Sequence, residues 1–248
     1  MTYGGLPEIL NMKDDESKSA YLKNIMDAVY LLDIKERNDI RMPYALDNIV
    51  NVLSSSIGSL VNATKLKNTM ISSSYKAIDE ATVVRYVGFL EDSFLFEKSR
   101  RYDVKGRKYI NSTEKYYSAD HGLVNCRLEF RQLDDRPHIM ENIIYNELRS
   151  RGFSMDVGSI SCREPDGSKT LEVDFVTKKG NRMYFIQSAY RMYDESKTKQ
   201  ELNPLLKIKD SFRKIIIVMD SIAAHMDDNG VMHIGLIEFL TDEKYTGL

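Results

Sequence analysis

Apolar residues near the start of the chain recur at helical spacing. Within Ser19–Ile34 they fall on one face, at Tyr21, Ile25, Val29 and Leu32. The glycine pair Gly4-Gly5 ahead of this helix predicts a turn. Residues 1–45 are too few to bury a core of their own. We therefore expect them to pack on the next part of the chain or on a partner.

Residues 46–113 combine three predicted helices with a hairpin. The helices cover Leu46–Ile57, Ala63–Ser72 and Glu80–Ser93, and Asp79 is the predicted N-cap of the third. That third helix is predicted to bury Val83, Val84, Val87 and Leu90, and to turn outward Thr82, Arg85, Tyr86 and Glu91. Two strands, Leu95–Arg101 and Lys108–Ile110, flank a turn that contains Gly106. This order is typical of a winged helix-turn-helix.

Helical and strand patterns follow one another in the rest of the chain. An amphipathic helix over Ile139–Arg151 precedes predicted strands at Thr170–Val176, Met183–Ala189 and Arg213–Asp220, with a helical segment near Lys197–Ile208 and a last strand and helix in Val231–Leu240. The fully apolar centre of Arg213–Asp220 indicates a strand buried on both faces. The sequence thus predicts a multi-domain α/β protein, divided at residues 1–45, 46–113 and 114–248.

Composition narrows the classes of function. The 248 residues carry a formal net charge of −2, so nucleic-acid binding requires a local basic patch. The two cysteines, Cys126 and Cys162, and the four histidines make no spacing typical of a metal site. The longest apolar runs are too short to span a bilayer, and the first residues do not resemble a signal peptide. We expect a cytoplasmic protein with free thiols and no contact with membranes.

A local basic patch is present on the predicted hairpin. Seven cations lie between Glu97 and Lys115 against three acids, with tyrosines interleaved. Such a surface suits phosphate contacts, and the preceding helix would then enter the major groove. The predicted DNA-binding residues are Thr82, Arg85, Lys98, Arg100, Arg101, Lys105, Arg107 and Lys108. A solvated charged hairpin, or docking of an acidic protein, remains an alternative interpretation.

The last domain contains an incomplete set of residues for metal-dependent phosphodiester cleavage. That chemistry uses two acidic oxygens on adjacent strand ends, a helix carboxylate and a lysine. Asp174 and the helical Glu141 fit their positions, but Gln187 stands where the second carboxylate belongs and Ala189 where the lysine belongs. Glu172 shares the strand face of Asp174 and is a further metal-ligand candidate. The alternative is that Asp174 is a buried, hydrogen-bonded residue retained for folding. On either interpretation we expect no catalytic residue and no resident metal.

Several short sequence motifs along the chain together resemble those of a known family. They include Gly4-Gly5-Leu6-Pro7, Tyr30–Ile34, Thr82–Tyr86, Lys115–Leu123, Glu141-Asn142 and Glu172–Phe175. Their order resembles the C-terminal region (DUF4143) of prokaryotic AAA_14-type P-loop ATPases. This resemblance implies a winged helix followed by a restriction-endonuclease-like domain.

The resemblance also implies an ATPase module that would precede this chain. The sequence contains no GxxxxGK[ST] motif, so we expect the chain itself to bind neither ATP nor Mg²⁺. Residues 1–45 would be residual lid or linker helices of that module.

The leading hypothesis is a targeting region that binds double-stranded DNA through the winged helix and carries a degenerate nuclease-like domain. Its partners would be DNA and its own ATPase module. Two alternatives remain: a divalent-metal-dependent nuclease, and a module for protein docking or oligomerisation.

Overall fold

The computed structural model describes residues 1–72, 78–131, 135–164, 167–192 and 194–245. The chain divides into two compact units. Unit 1 comprises Met1–Lys98 and Glu114–Asn142, and unit 2 comprises Ser99–Thr113 and Ile143–Leu248. The units thus group the chain differently from the predicted division at residues 45 and 113.

Unit 1 is built mainly from helices. A 3-10 turn at Pro7–Asn11 is followed by α1 (Asp15–Asn24), a π-helical stretch (Ile25–Leu31), α2 (Leu32–Arg37), α3 (Pro43–Ser54), α4 (Ala63–Ser72), α5 (Glu80–Asp92) and α6 (His121–Arg127). The N-caps of α1, α5 and α6 are aspartates whose side chains accept backbone N–H groups of the first turn. These short polar caps fix where each helix begins.

The N-terminal helices share one hydrophobic core with the helices that follow. Leu22, Met26 and Ile34 are almost fully buried in the same cluster as Leu46 and Ile49 of α3. Residues 1–45 therefore have no separate core, and within unit 1 they pack on the next part of the chain.

The buried face of α5 differs from the predicted one. Tyr86 is fully buried and its hydroxyl accepts a hydrogen bond from the backbone N–H of Met42, at 3.1 Å. Val84 is 58% exposed instead. The buried positions Val83, Tyr86, Val87 and Leu90 follow the i, i+3, i+4, i+7 spacing of one helical face. The prediction that Val84 is buried and Tyr86 exposed is wrong, because Tyr86 lies on that spacing and Val84 does not.

Unit 2 is organised around a mixed sheet. The strands are β1 (Phe96–Asp103), β2 (Lys108–Ser118), β3 (Ser154–Glu164), β4 (Gly167–Lys179), β5 (Arg182–Ala189), β6 (Arg213–Val218), β7 (His225–Met226) and β8 (Val231–Gly235). The helices are α7 (Arg136–Ser150), α8 (Glu195–Leu206) and α9 (Leu236–Thr241). β1, β2 and α7 each contain a boundary between the units.

The strand order of the sheet, within the described residues, is β2-β1-β3-β4-β5-β6-β8-β7. β3, β4 and β5 are antiparallel neighbours, whereas β1 pairs with β3, β5 with β6 and β6 with β8 in parallel. β6 lies between two parallel neighbours and its Ile215–Val218 segment is buried, as predicted for a strand covered on both faces.

The coarse fold prediction is confirmed, because the chain is a mixed α/β protein with helices and a large mixed sheet. Within the described ranges no helix combines the length and the apolar character needed to cross a bilayer.

Candidate functional site

The predicted basic hairpin forms a tip between β1 and β2 in unit 2. Lys105 and Lys108 are exposed at this tip, and the Arg107 side chain is 75% exposed. The turn is held by the Asp103 carboxylate, which accepts the N–H groups of Lys105 and Gly106 at 3.1 and 3.0 Å. The tip is therefore an ordered turn that presents cations to solvent.

Two of these cations also make contacts with neighbouring segments of unit 2. The Lys105 ammonium donates to the backbone oxygen of Ser161 on β3, at 2.7 Å. Arg107 lies 3.5 Å from the carboxylate of Asp210. Arg101 is half-buried and pairs with Val157 in the parallel β1–β3 register. The hairpin is thus anchored to the sheet through β3.

An aromatic group lies beside these cations. The Arg100 guanidinium sits 4.0 Å from the ring centroid of Tyr109, and the rings of Tyr102 and Tyr109 meet edge to face at 5.5 Å. The Lys178 ammonium lies 4.9 Å from the Tyr102 ring. The Tyr109 hydroxyl donates to Asp156 at 3.0 Å. We call these five residues, on four adjacent strands, the Tyr109 cluster.

Burial shapes the ionisation of this cluster. Desolvation raises the pKa of Asp156. The hydrogen bond from the Tyr109 hydroxyl and the positive charges of Arg100 and Lys178 lower this pKa and offset part of the rise. Desolvation and the nearby Asp156 likewise raise the pKa of Tyr109. The hydroxyl of Tyr109 therefore stays protonated at neutral pH and remains a donor to Asp156.

The other predicted DNA-binding residues belong to unit 1. Thr82 and Arg85 lie on α5, and Arg85 stacks 5.5 Å from the Tyr86 ring of the same helix. Lys98 pairs with Glu91 at 3.3 Å. Lys115, counted with the basic hairpin, is buried. The predicted DNA-binding set is thus divided between the two units.

Asp174 and Gln187 lie side by side on β4 and β5. The Asp174 N–H donates to the Gln187 side-chain oxygen at 3.4 Å, and the Asp174 carboxylate accepts the Ser188 N–H at 2.8 Å. The Gln187 amide nitrogen donates to Glu201 of α8 at 3.3 Å. Both Asp174 and Gln187 are buried. The two residues are neighbours as expected, and a hydrogen-bonded network holds them. The predicted strand-end position of Asp174 is wrong, because β4 continues to Lys179.

A cleft of about 1220 Å³ opens over this network between β4 and α8. Glu172, Gln187 and Glu201 line it together with Lys169 and Lys199. Its wall thus carries both signs of charge. Glu172 faces the cleft, where it remains accessible.

Two of the predicted nuclease positions, Glu141 and Ala189, are buried in the protein interior. Glu141 belongs to unit 1, where its carboxylate binds the Lys115 ammonium at 2.8 Å and the Tyr117 hydroxyl at 2.6 Å. Ala189 is 1% exposed and packs in the apolar core of unit 2 with Leu202 and Leu205. Among the described residues, no three His, Cys, Asp or Glu side chains are placed to hold a metal ion.

Glu201 was not anticipated from the sequence, although α8 carries a signal for it. Thr198, Glu201, Leu202 and Leu205 follow the i, i+3, i+4, i+7 spacing of a face that packs on the sheet. A carboxylate within such a face is an unusual position that a search for polar residues on buried stripes would find.

Comparison with known proteins assigns a family different from the predicted one. The profile described as "Domain of unknown function (DUF8612)" matches residues 1–134. The predicted family, DUF4143 of AAA_14-type ATPases, is therefore wrong, and the ATPase module inferred from it loses its basis.

Two curated relatives are uncharacterised. An "Uncharacterized protein" of Haemophilus influenzae is 31% identical over 215 residues, which are 87% of this chain and 50% of that protein. The "Uncharacterized protein MJ1544" of Methanocaldococcus jannaschii is 26% identical over 80% of this chain and 42% of its own length. The chain thus spans about half the length of these relatives.

One solved structure, the "Crystal structure of protein VC1899 from Vibrio cholerae", aligns over 95% of this chain and 55% of its own. Its identity is 12% and its TM-score 0.28, which is too low to support an argument about fold. The match over residues 1–134 covers more than half of the sequence, and the chain belongs to the DUF8612 family.

Proposed function

We propose that this chain is a non-catalytic binding module whose unit 2 contacts the phosphate backbone of nucleic acid through the β1–β2 hairpin. The observation that carries the proposal is the charge of residues 99–113, which hold five cations and one acid on an anchored tip. A cluster of Lys and Arg is the usual electrostatic footprint of phosphate contacts, and here it is a local patch on a protein of near-zero net charge. The names of the relatives say nothing about nucleic acids, so the proposal rests on surface chemistry.

The distribution of charge between the units supports the hairpin over α5. Unit 2 contains 20 Lys and Arg against 17 Asp and Glu, whereas unit 1 contains 15 against 20. α5 and its cap carry Asp79, Glu80, Glu91 and Asp92 around the single cation Arg85. A helix with that balance repels a phosphate backbone. The binding surface in this proposal is therefore the hairpin, with Arg100, Lys105, Arg107 and Lys108 as its contacts.

The finer fold assignments are part of the proposal. The order α3, α4, α5 and hairpin supports the winged-helix interpretation, while the pairing of β1 with β3 ties the hairpin to the sheet of unit 2. The neighbouring positions of Asp174 and Gln187 support a restriction-endonuclease-like interpretation of unit 2. We propose a domain of that kind that has lost its chemistry.

Two side chains support the non-catalytic part of the proposal. Gln187 supplies a neutral amide where this cleavage chemistry uses a charged oxygen, and the amide nitrogen donates a hydrogen bond to Glu201. The methyl group of Ala189 lies in an apolar core where a lysine ammonium would be desolvated at high cost. The position thus favours a small apolar side chain over the lysine that the chemistry requires.

The test is fluorescence anisotropy of the whole chain with labelled duplex and single-stranded DNA over about 50 to 200 mM salt. Three phosphate contacts would weaken binding about fortyfold across that range. Variants Arg107→Glu and Lys108→Glu should each reduce affinity and flatten the salt dependence. Lys207→Glu, an exposed cation at the end of α8, is the matched control and should leave binding unchanged.

Two results would overturn this proposal. Absence of binding to every nucleic acid at the lowest salt would favour protein docking as the role of the hairpin. Cleavage of DNA by the purified chain in Mg²⁺ or Mn²⁺, abolished by Asp174→Asn, would establish the nuclease alternative.

A further inference from the structure

The Tyr109 cluster holds an aromatic ring at the surface in a fixed orientation. Tyr109 is 47% exposed, whereas Tyr102 beneath it is 8% exposed and belongs to the core of unit 2. The hydrogen bond from the Tyr109 hydroxyl to Asp156 anchors the far end of the ring. Tyr102 supports its edge, and Arg100 covers the ring at 4.0 Å. The ring is thus ordered before any ligand arrives.

Core packing accounts for Tyr102 but leaves Tyr109 47% exposed. An exposed ring stacked with a planar guanidinium offers flat, polarisable surface next to cations. Nucleobases stack on aromatic rings and on guanidinium planes, and this contact tolerates every base. The bases of a duplex are already stacked on one another, so they cannot use such a surface without unpairing.

We propose that the Arg100–Tyr109 pair is a stacking site for an unpaired nucleobase, which makes single-stranded nucleic acid the ligand of unit 2. The inference rests on the proposed function, because Lys105, Arg107 and Lys108 of the adjacent tip supply the phosphate contacts. Lys178, within the cluster, adds a further cation. Charge from the tip gives affinity for any nucleic acid, and stacking gives the preference for single strands.

The chain contains no tryptophan, which allows a direct spectroscopic test. The variant Tyr109→Trp places a single indole at the proposed stacking position. Mixed-sequence DNA and RNA oligonucleotides of about 12 nucleotides, within the usual site size of such surfaces, should quench its emission on binding. The corresponding duplexes should bind more weakly and leave the emission nearly unchanged. Comparison of DNA with RNA shows which sugar the site prefers.

Affinity measurements separate stacking from charge. The wild-type chain should bind the single strand about tenfold or more tightly than the duplex, because stacking of one base contributes on that scale. Tyr109→Ala should remove most of this preference with the salt dependence unchanged. Arg100→Lys should also weaken it, because an ammonium keeps the charge but has no plane to stack. Tyr109→Phe keeps the ring but loses its anchoring hydroxyl, so it should retain more of the preference than Tyr109→Ala, and Lys207→Glu is the matched control that should leave the preference unchanged.

The outcomes distinguish this inference from the proposed function. Equal affinity for single strand and duplex, unchanged by Tyr109→Ala in a variant with wild-type circular dichroism, would overturn the stacking site and leave phosphate binding intact. Quenching of Tyr109→Trp by duplex as strongly as by single strand would also overturn it. Absence of binding by any nucleic acid would overturn both.

Discussion

The ammonium group of Lys115 lies 2.8 Å from the carboxylate of Glu141 in the interior of unit 1, where the two side chains are only 4% and 8% exposed. Tyr117, two residues along the same strand, donates its hydroxyl to the same carboxylate oxygen at 2.6 Å. Alternate residues of a strand share a face, so β2 directs both donors at Glu141. This carboxylate is therefore a structural group.

Removal of one member of this pair should destabilise the protein strongly. Lys115→Met leaves the Glu141 carboxylate buried without its counter-charge. A broken buried ion pair typically costs about 3–5 kcal/mol, because the desolvation of the remaining charge is no longer offset. Urea unfolding followed by circular dichroism measures the free energy of unfolding directly.

The double variant Lys115→Met, Glu141→Gln removes both charges and should recover most of that loss. Lys199→Met breaks an exposed pair with Glu195 and serves as the control, with an expected change below about 1 kcal/mol. A loss for Lys115→Met no larger than that of the control would show that the pair is not a structural charge pair.

Asp120 connects the N-terminal glycine turn to the start of α6. Its carboxylate accepts the N–H of Gly5 at 2.6 Å and the N–H of Gly122 at 2.7 Å. Asp120→Ala removes an N-cap and leaves the Gly5 donor without this acceptor, so we expect a loss of about 2 kcal/mol. Hydrogen exchange should show faster exchange at Gly5, Gly122 and Leu123. Unchanged protection at Gly5 would contradict the contact.

Two glycines should respond in opposite directions to alanine. A Cβ at Gly122 would lie 2.3 Å from the backbone oxygen of Tyr3, which cannot move aside without shifting the N-terminal turn. A Cβ at Gly88, in α5, would meet nothing within 4 Å. Gly122→Ala should therefore destabilise the protein, whereas Gly88→Ala should stabilise it by about 0.5–1 kcal/mol through helix propensity. Thermal unfolding of both variants measures the two signs, and a shared sign would refute the packing at Gly122.

Local signals in the sequence located α4 and α5 but not α6, and the apolar face predicted within Ser19–Ile34 is wrong at Val29 and Leu32, which are 52% and 50% exposed. The predicted bounds of Ala63–Ser72 coincide with α4, and Asp79 caps α5 as predicted. Caps and helical periodicity act over a few residues, so they are readable without the tertiary structure.

β3 was not predicted, because its pattern depends on a neighbouring strand. The register between β3 and β4 shifts between Asp156 and Gly158, which interrupts the alternation of buried and exposed residues. A Cβ at Gly158 would approach Val173 to 2.9 Å, so the strand contains a glycine where the sequence suggests a break.

The family prediction is wrong because its motifs reflect contacts within unit 1. The motif at Gly4-Gly5 is hydrogen-bonded to Asp120 of the motif Lys115–Leu123. Glu141 and Asn142 are hydrogen-bonded to Lys115 and Ser118 of β2. These residues identify contacts inside unit 1. They carry no information about an ATPase module.

Stability should respond to pH through Asp156. Because burial raises its pKa, the folded state favours the neutral acid more than the unfolded chain does. That contribution is fully present below the pKa of the unfolded chain and is lost as pH rises through the folded-state pKa. Asp156→Asn stays neutral and still accepts the Tyr109 hydroxyl, so its stability relative to wild type should increase from about pH 3 to 7.

Asp194 provides the opposite case for this pH experiment. Its pKa is lowered by the hydroxyl of Ser196 and then by the N–H of Lys197, so its carboxylate contributes stability above the unfolded pKa that is lost as pH falls. The stability of Asp194→Asn relative to wild type should therefore decrease as pH rises. Urea unfolding at several pH values gives both slopes, and parallel curves for Asp156→Asn and wild type would contradict the role of Asp156.

A carboxylate in place of the Gln187 amide should give the β4–β5 site affinity for divalent metal. Gln187→Glu removes the donor to Glu201, 3.3 Å away, and places a third carboxylate beside Glu201 and Asp174. Without metal, charge repulsion and the lost hydrogen bond should lower stability by about 1–3 kcal/mol. Hard divalent cations bind clustered carboxylate oxygens, so millimolar Mg²⁺ or Mn²⁺ should recover part of that loss.

Thermal unfolding with and without each metal tests this prediction, with Asn181→Asp in the exposed turn between β4 and β5 as the matched control. The control adds the same charge away from Asp174 and should show neither the loss nor the recovery. An equal metal-dependent increase in the wild-type chain would mean that Gln187 already serves as a ligand and would return the metal-dependent alternative to consideration. Recovery confined to Gln187→Glu would mean that a single amide distinguishes this site from a metal-binding one.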